Sequence, residues 1–318
     1  MKLIEIIILS ICLSKCICQI NPIIAEWTKS TGSGYGGFNT NVYKIEYSSS
    51  YVWVSTNSIP SFSIGPWANN PNNAKGMDYT FQFPLNPTYN IGTPTKVPLG
   101  HIGLWINGVS VFNADDGMTY NNLGVWKRNA YIWEGVSFDS CKGHPNGKSE
   151  YHMHISSGCL YNTSASHHSP LIGFAFDGFP IYGPYGYSSA NDSSSSIKRI
   201  ETSYKLRSIT DRTSLPDGTV LDSTYYGPSI ASYNLSSFIE DYEYQTGYGD
   251  LDEYNGRYCK TPEYPDGIYA YFIATDSSLT PIYPFVVGPY YRGNILPGNT
   301  GPNSGKLSAA KATVYFEN

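Results

Sequence analysis

The sequence predicts an all-β protein, a mainly antiparallel sandwich or jelly-roll-like pair of sheets with long loops and at most one or two short helices. Three observations carry that prediction. Runs rich in β-branched and aromatic residues alternate in polarity, as in Tyr79-Thr80-Phe81-Gln82-Phe83, which is the two-residue period of a strand. Asn-Gly and Asp-Gly pairs recur at Asn107-Gly108, Asn146-Gly147, Asp177-Gly178 and Asp217-Gly218, and such pairs favour tight turns. The chain holds 29 Tyr, 31 Gly and 21 Pro with only 14% charged residues. Hydroxyls and amides must therefore keep its surface polar, and long helices have little room.

The elements follow in order. Val42–Tyr47 and Tyr51–Thr56 read as strands joined by Ser48-Ser49-Ser50. Residues 57–75 carry prolines and glycines that forbid a long helix. After the run at Tyr79–Pro84, residues 99–113 read as a hairpin turning at Asn107-Gly108. Asn129 to Glu134 fits either a short strand or a helical turn. Residues 171–176 and 180–184 form a second hairpin about Asp177-Gly178, beyond which residues 188–200 are a Ser-rich loop. Residues 229–245 hold the best helix candidate, with Leu235, Phe238 and Ile239 at helical spacing. Ile268 to Thr275 is the clearest strand of the C-terminal half. No fixed-period repeat and no clean linker is evident. Three hundred residues suffice for one large β domain or two packed units.

The first eighteen residues read as a secretory signal. Lys2 precedes an apolar run from Leu3 to Leu13, and the small residues Cys16 and Cys18 sit before a cut at Gln19. Glu5, Ser10, Ser14 and Lys15 spoil the alternative of a membrane anchor, which needs about 18–20 clean apolar residues. Removing Lys2, Lys15 and Glu5 takes 20 basic and 25 acidic residues to 18 and 24, a net charge near −6. That balance argues against a nucleic-acid binder, where a basic face is expected. The sequons at Asn162, Asn191 and Asn234 agree with secretion and place those segments at the surface as glycosylation candidates.

Residues with the chemistry to hold a metal or move a proton concentrate in residues 139–187, which contain five of the six histidines. Strand alternation puts His152 and His154 on one face with Glu150, and Tyr151, Met153 and Ile155 on the other. A His-x-His pair on a strand sets two imidazoles side by side, about 7 Å apart at Cα, so both can bind one ion through nitrogen at about 2.0–2.1 Å. His144 and His168 are further candidate ligands, with His101, Glu150 and Asp177 behind them. If Asn146-Gly147 makes a two-residue turn, Pro145 faces Lys148, and His144 falls on the wrong face unless Pro145 forces a bulge.

Cys141 and Cys159 flank this hairpin. In an oxidising compartment a bridge between them is favoured over metal ligation, and closing a loop of nearly twenty residues contributes about 3 kcal/mol. Cys259 is the thiol left over. Asp177 either caps its own turn or serves as a ligand or general base. Glu253 is the other catalytic candidate.

Taken together these pieces resemble the YHYH-domain family of mostly secreted proteins. The matching segments are Asn107-Gly108 with Phe112-Asn113, Asp139 to Pro145, Tyr151-His152-Met153-His154, His168 to Gly173, Asp177 to Pro184, Leu251 to Arg257, and Asp266 to Phe272. They run in one order over residues 100–293. Residues 19–99 are then an N-terminal β-rich part of the same domain, and residues 294–318 a C-terminal strand or tail. Met153 replaces the second Tyr of the name-giving motif, and Tyr254 stands where the family often has Cys, so no second bridge is expected there. The resemblance implies a site location and a secreted setting and brings no reaction with it.

The sequence therefore predicts a secreted, glycosylated β protein whose central hairpin presents His152 and His154 to Cu or Zn. The alternative is a non-enzymatic extracellular protein that contacts glycans or other proteins through its Tyr/Trp-rich surface, with structural histidines. A metal-free hydrolase ranks last, because no G-x-S-x-G or comparable nucleophile motif is present.

Overall fold

The computed structural model describes residues 20–301 and 303–318; the expected signal segment, residues 1–18, lies outside them. The protein is all-β, as expected. Among the described residues the two α-helices, α1 (Pro22–Ala25) and α2 (Ala130–Trp133), are single turns. The strands of the two larger sheets are β1 (Val42–Tyr47), β2 (Tyr51–Thr56), β3 (Tyr79–Pro84), β4 (His101–Trp105), β5 (Ser110–Phe112), β6 (His144–Pro145), β7 (Tyr151–Met153), β8 (Leu171–Ala175), β9 (Pro180–Tyr182), β10 (Gly256–Cys259), β11 (Ile268–Phe272) and β12 (Thr313–Glu317). One sheet is antiparallel in the order β12-β1-β2-β3; the other is mixed, in the order β10-β11-β9-β8-β4-β5-β7-β6. The two meet through aromatic rings. Phe81 stacks on Phe176 with centroids 5.1 Å apart, and Trp27 wedges between Phe83 and Phe174 at 5.5 and 5.2 Å. Ring pairs of this kind add to the burial of apolar area that drives the packing.

The mixed sheet is an internal pseudo-twofold repeat. Its central strands β4 and β8 run antiparallel, with Leu104 opposite Phe174, Gly103 opposite Ala175 and Trp105 opposite Gly173. Outward from this axis both halves repeat one pattern. A hairpin (β4–β5 or β8–β9) is followed by a parallel neighbour (β7 or β11) and then an antiparallel edge (β6 or β10). Ile102-Gly103, Asn107-Gly108 and Val111-Phe112 reappear 70 positions later as Ile172-Gly173, Asp177-Gly178 and Ile181-Tyr182.

A turn ahead of each edge strand repeats in side-chain detail. Asp139 Oδ1 accepts the backbone N–H groups of Cys141 and Gly143 and the hydroxyl of Tyr151. Asp252 Oδ1 accepts those of Tyr254 and Gly256 and the hydroxyl of Tyr269. Lys142 and Asn255 share a left-handed backbone, at φ 64° and 65°. The repeat escapes a search for a fixed period because residues 113–143 separate the hairpin from the edge strand in one half and residues 183–255 in the other.

Two further expectations are corrected. Residues 229–245 form no α-helix; they hold a 3-10 turn at Ile239–Asp241 and a strand at Tyr242–Tyr244. The carboxylate of Asp241 takes the N–H groups of Ser236 and Phe238 and grips Arg212 through Nε and Nη2 at 2.7 and 2.9 Å, and this bonding outcompetes the helical pattern. Asn146-Gly147 is not a two-residue turn. Asn146 Oδ1 accepts the N–H groups of both Lys148 and Glu150, so residues 146–150 make the connection. Pro145 then pairs with Tyr151, and His144 with His152.

Candidate metal centre

The longer turn brings His144 onto the side of the sheet that carries His152 and His154. His144 Nε2 lies 3.1 Å from His152 Nε2, which lies 3.2 Å from His154 Nε2. The fourth member is Glu134, set at the C-terminal end of α2, a helix whose N-terminus Asn129 caps by accepting the N–H of Tyr131. Glu134 Oε2 is 2.8 Å from His154 Nε2 and 3.6 Å from His144 Nε2. All four ligand atoms lie within 4.8 Å of one another. Four donors around one ion at about 2.0–2.1 Å stand about 3.3 Å apart in a tetrahedron, and the observed separations bracket that value.

The outer nitrogens show what the inner ones carry. His152 Nδ1 bonds the carbonyl of Glu150, and His154 Nδ1 that of Asn113. A carbonyl only accepts, so both rings carry their proton on Nδ1. Ser137 donates its hydroxyl proton to the carbonyl of Glu134 (2.8 Å), and its oxygen is left to accept from His144 Nδ1 at 2.7 Å. Three imidazoles therefore turn their Nε2 atoms toward one another beside a carboxylate. Glu134 Oε2 is buried and makes no hydrogen bond of acceptable geometry despite its short approach to His154. Nitrogen lone pairs that converge at these distances repel, and a cation in their midst reverses the sign.

Protons are poorly suited to that role at His144 and His152. Burial, followed by the charge of His154, pushes His144 down to about 4. Burial also holds His152 well below 6.5, with His154 and His144 adding to the effect. Phe112 stacks on the His152 ring at 3.9 Å and Phe138 meets His144 edge-on at 4.9 Å. The four residues line a cleft of about 450 Å³, with Asp115, Asp116, Trp133 and Asn70 on its walls.

The other expected site residues lie elsewhere. His168 bonds the carbonyl of Ser169 through Nδ1 and is enclosed by Tyr182, Tyr187 and Phe272, in the second half of the repeat. Glu150 turns its carboxylate away from the cluster to His101 at 2.6 Å. Asp177 is fully buried at its corner, where it accepts the Tyr271 hydroxyl and the N–H groups of Phe179 and Gly293. Glu253 is exposed, and neither it nor Asp177 lines the cleft. Glu134, in contrast, was not a candidate from sequence. Its segment fits a strand and a helical turn equally well by pattern, and a single Glu ten positions before His144 carries no spacing signal.

Only one half of the repeat holds the ligand set. By sheet register His144, His152 and His154 correspond to Arg257, Ala270 and Phe272. There the Arg257 guanidinium lies 5.4 Å over the Phe272 ring and donates to the Tyr187 carbonyl at 2.7 Å. A guanidinium thus stands where the other half has an imidazole.

Cys141 and Cys159 form a disulfide, and Cys259 is a buried free thiol. Among the described residues no helix is long and apolar enough to cross a membrane. No curated protein and no solved structure gives a significant match to the chain. The family model described as YHYH protein matches residues 80–284, from β3 past the Tyr283-Pro284 bond, and so takes in the whole histidine cluster and both halves of the repeat. The chain belongs to the YHYH protein family.

Proposed function

We propose that Glu134, His144, His152 and His154 hold one transition-metal ion, Cu or Zn, in a secreted protein. The observation that carries this reading is the convergence of three Nε2 atoms and a carboxylate oxygen on one point. Imidazole with a single carboxylate suits either metal, and such an ion supplies Lewis acidity to whatever enters the cleft. Ser137, Asn113 and the Glu150 carbonyl fix each ring's tautomer and direction, and Phe112 and Phe138 pack against the rings of His152 and His144. The disulfide, together with the exposed positions of Asn162, Asn191 and Asn234, supports an extracellular, glycosylated setting.

Elemental mass spectrometry on untagged secreted protein, beside the His152→Ala/His154→Ala variant, tests the proposal. The expected result is near-stoichiometric copper or zinc in the wild type and its loss from a variant that still folds. A wild type that carries neither metal and takes up neither when offered both overturns the reading. The histidines would then be structural, as in a binding protein.

A further inference from the structure

A second cleft of about 560 Å³ adjoins the first and shares Leu99, Gly100, Phe112, Asn146 and Gly147 with it. Ser304, His101 and Glu150 line it, all nine-tenths or more buried. They form a continuous relay: Ser304 Oγ lies 2.7 Å from His101 Nδ1, and His101 Nε2 lies 2.6 Å from Glu150 Oε1. The other carboxylate oxygen of Glu150 accepts from the Tyr79 hydroxyl at 3.1 Å and from Asn146 Nδ2 at 3.3 Å. The aromatic rings of Tyr79, Phe81 and Phe112 surround the imidazole.

The tautomer follows from the partners. A carboxylate only accepts, so His101 carries its proton on Nε2 and presents a bare Nδ1. The hydroxyl of Ser304 then donates to that nitrogen and turns its own lone pairs outward. A hydroxyl on a base that is oriented by a carboxylate is the arrangement of an activated nucleophile. The two ring nitrogens exchange the roles they have in the familiar serine triad, and the chemistry is the same.

We propose that Ser304 is a nucleophile for acyl transfer from small esters carrying negative charge. Its Oγ forms a bond to the acyl carbon as the ester C–O bond breaks. The hydroxyl proton passes to His101 Nδ1 and on to the departing alcohol, and water then cleaves the acyl-serine by the same base, so that ester and water become acid and alcohol. Lys306 lines the cleft and sets the sign of the charge it attracts. None of its three members is a metal ligand, although the Glu150 carbonyl also accepts from His152 Nδ1.

A fluorophosphonate probe on the full folded chain, with the labelled peptide mapped by mass spectrometry, tests the proposal. The expected result is phosphonylation at Ser304, absent in Ser304→Ala and slower by about 100-fold or more in His101→Gln, with no change after the chain is stripped by a chelator. Failure of the folded wild type to label at Ser304 overturns the proposal. So does equal labelling in His101→Gln, which would leave the relay a tie between the C-terminal loop and the sheet. The wild-type result is decisive even if a variant does not fold, and chelator insensitivity separates it from the metal reading.

Discussion

Ser137 shows how much of the candidate metal centre rests on groups that would not touch the ion. Its one proton goes to the Glu134 carbonyl, so its oxygen can only accept from His144. That bond decides which nitrogen of His144 faces the cluster. Partners of this kind are worth about 10–100-fold in metal affinity. Ser137→Ala is accordingly expected to weaken metal retention by that factor while leaving the thermal midpoint nearly unchanged, as read by competition with a chromogenic chelator. Retention equal to wild type would mean that the His144 ring is held by packing against Phe138 alone.

At the scale of elements, the repeated turn places a glycine against a tyrosine in each half. A Cβ on Gly143 would meet the Tyr151 hydroxyl at 2.3 Å, and one on Gly256 would meet the Tyr269 hydroxyl at the same distance. Both tyrosines are buried and bonded to the turn's aspartate, so neither can swing away. Overpacking of this kind costs about 1–3 kcal/mol. Gly143→Ala and Gly256→Ala should lower the unfolding midpoint in urea by comparable amounts. Only Gly143→Ala should also reduce metal retention, because its turn leads into His144. A metal defect in Gly256→Ala would show that the two halves are coupled rather than merely alike.

For the whole molecule, Asp177 ties the corner of β8–β9 to β11 through Tyr271 and to the C-terminal segment through Gly293. Burial pushes its carboxyl up to about 6 from an ordinary value of 3.8, against the opposing pull of the Tyr271 hydroxyl and the backbone N–H groups. Between these values the folded state holds a proton that the unfolded state has released. The contribution of Asp177 is therefore fully present below 3.8 and is lost as the pH rises through 6. Relative to Asp177→Asn, wild-type stability should fall from pH 4 to pH 6 and then level off, as followed by chemical denaturation across that range. A flat difference between the two proteins would mean that Asp177 is ionised throughout.

The sequence alone was enough for the β class, the hairpins at Asn107-Gly108 and Asp177-Gly178, the Cys141–Cys159 bridge, and the pairing of His152 with His154. Each of these rests on local chemistry: alternation along a strand, residues suited to tight turns, and cysteines that flank one hairpin. The tertiary structure decided what depends on the space between distant segments. It brought His144 across from His152 because Asn146 captures two backbone N–H groups and lengthens the turn. It brought in Glu134 because a one-turn helix ends against the cluster. It turned Glu150 toward His101 and away from the histidines on its own strand, and it replaced a helical pattern with the Arg212–Asp241 contact. The internal repeat was hidden for a related reason: it is conserved in pairing and hydrogen bonding, while connections of unequal length erase its period. A cluster of this kind is assembled by convergence, and sequence spacing records only the members that happen to share a strand.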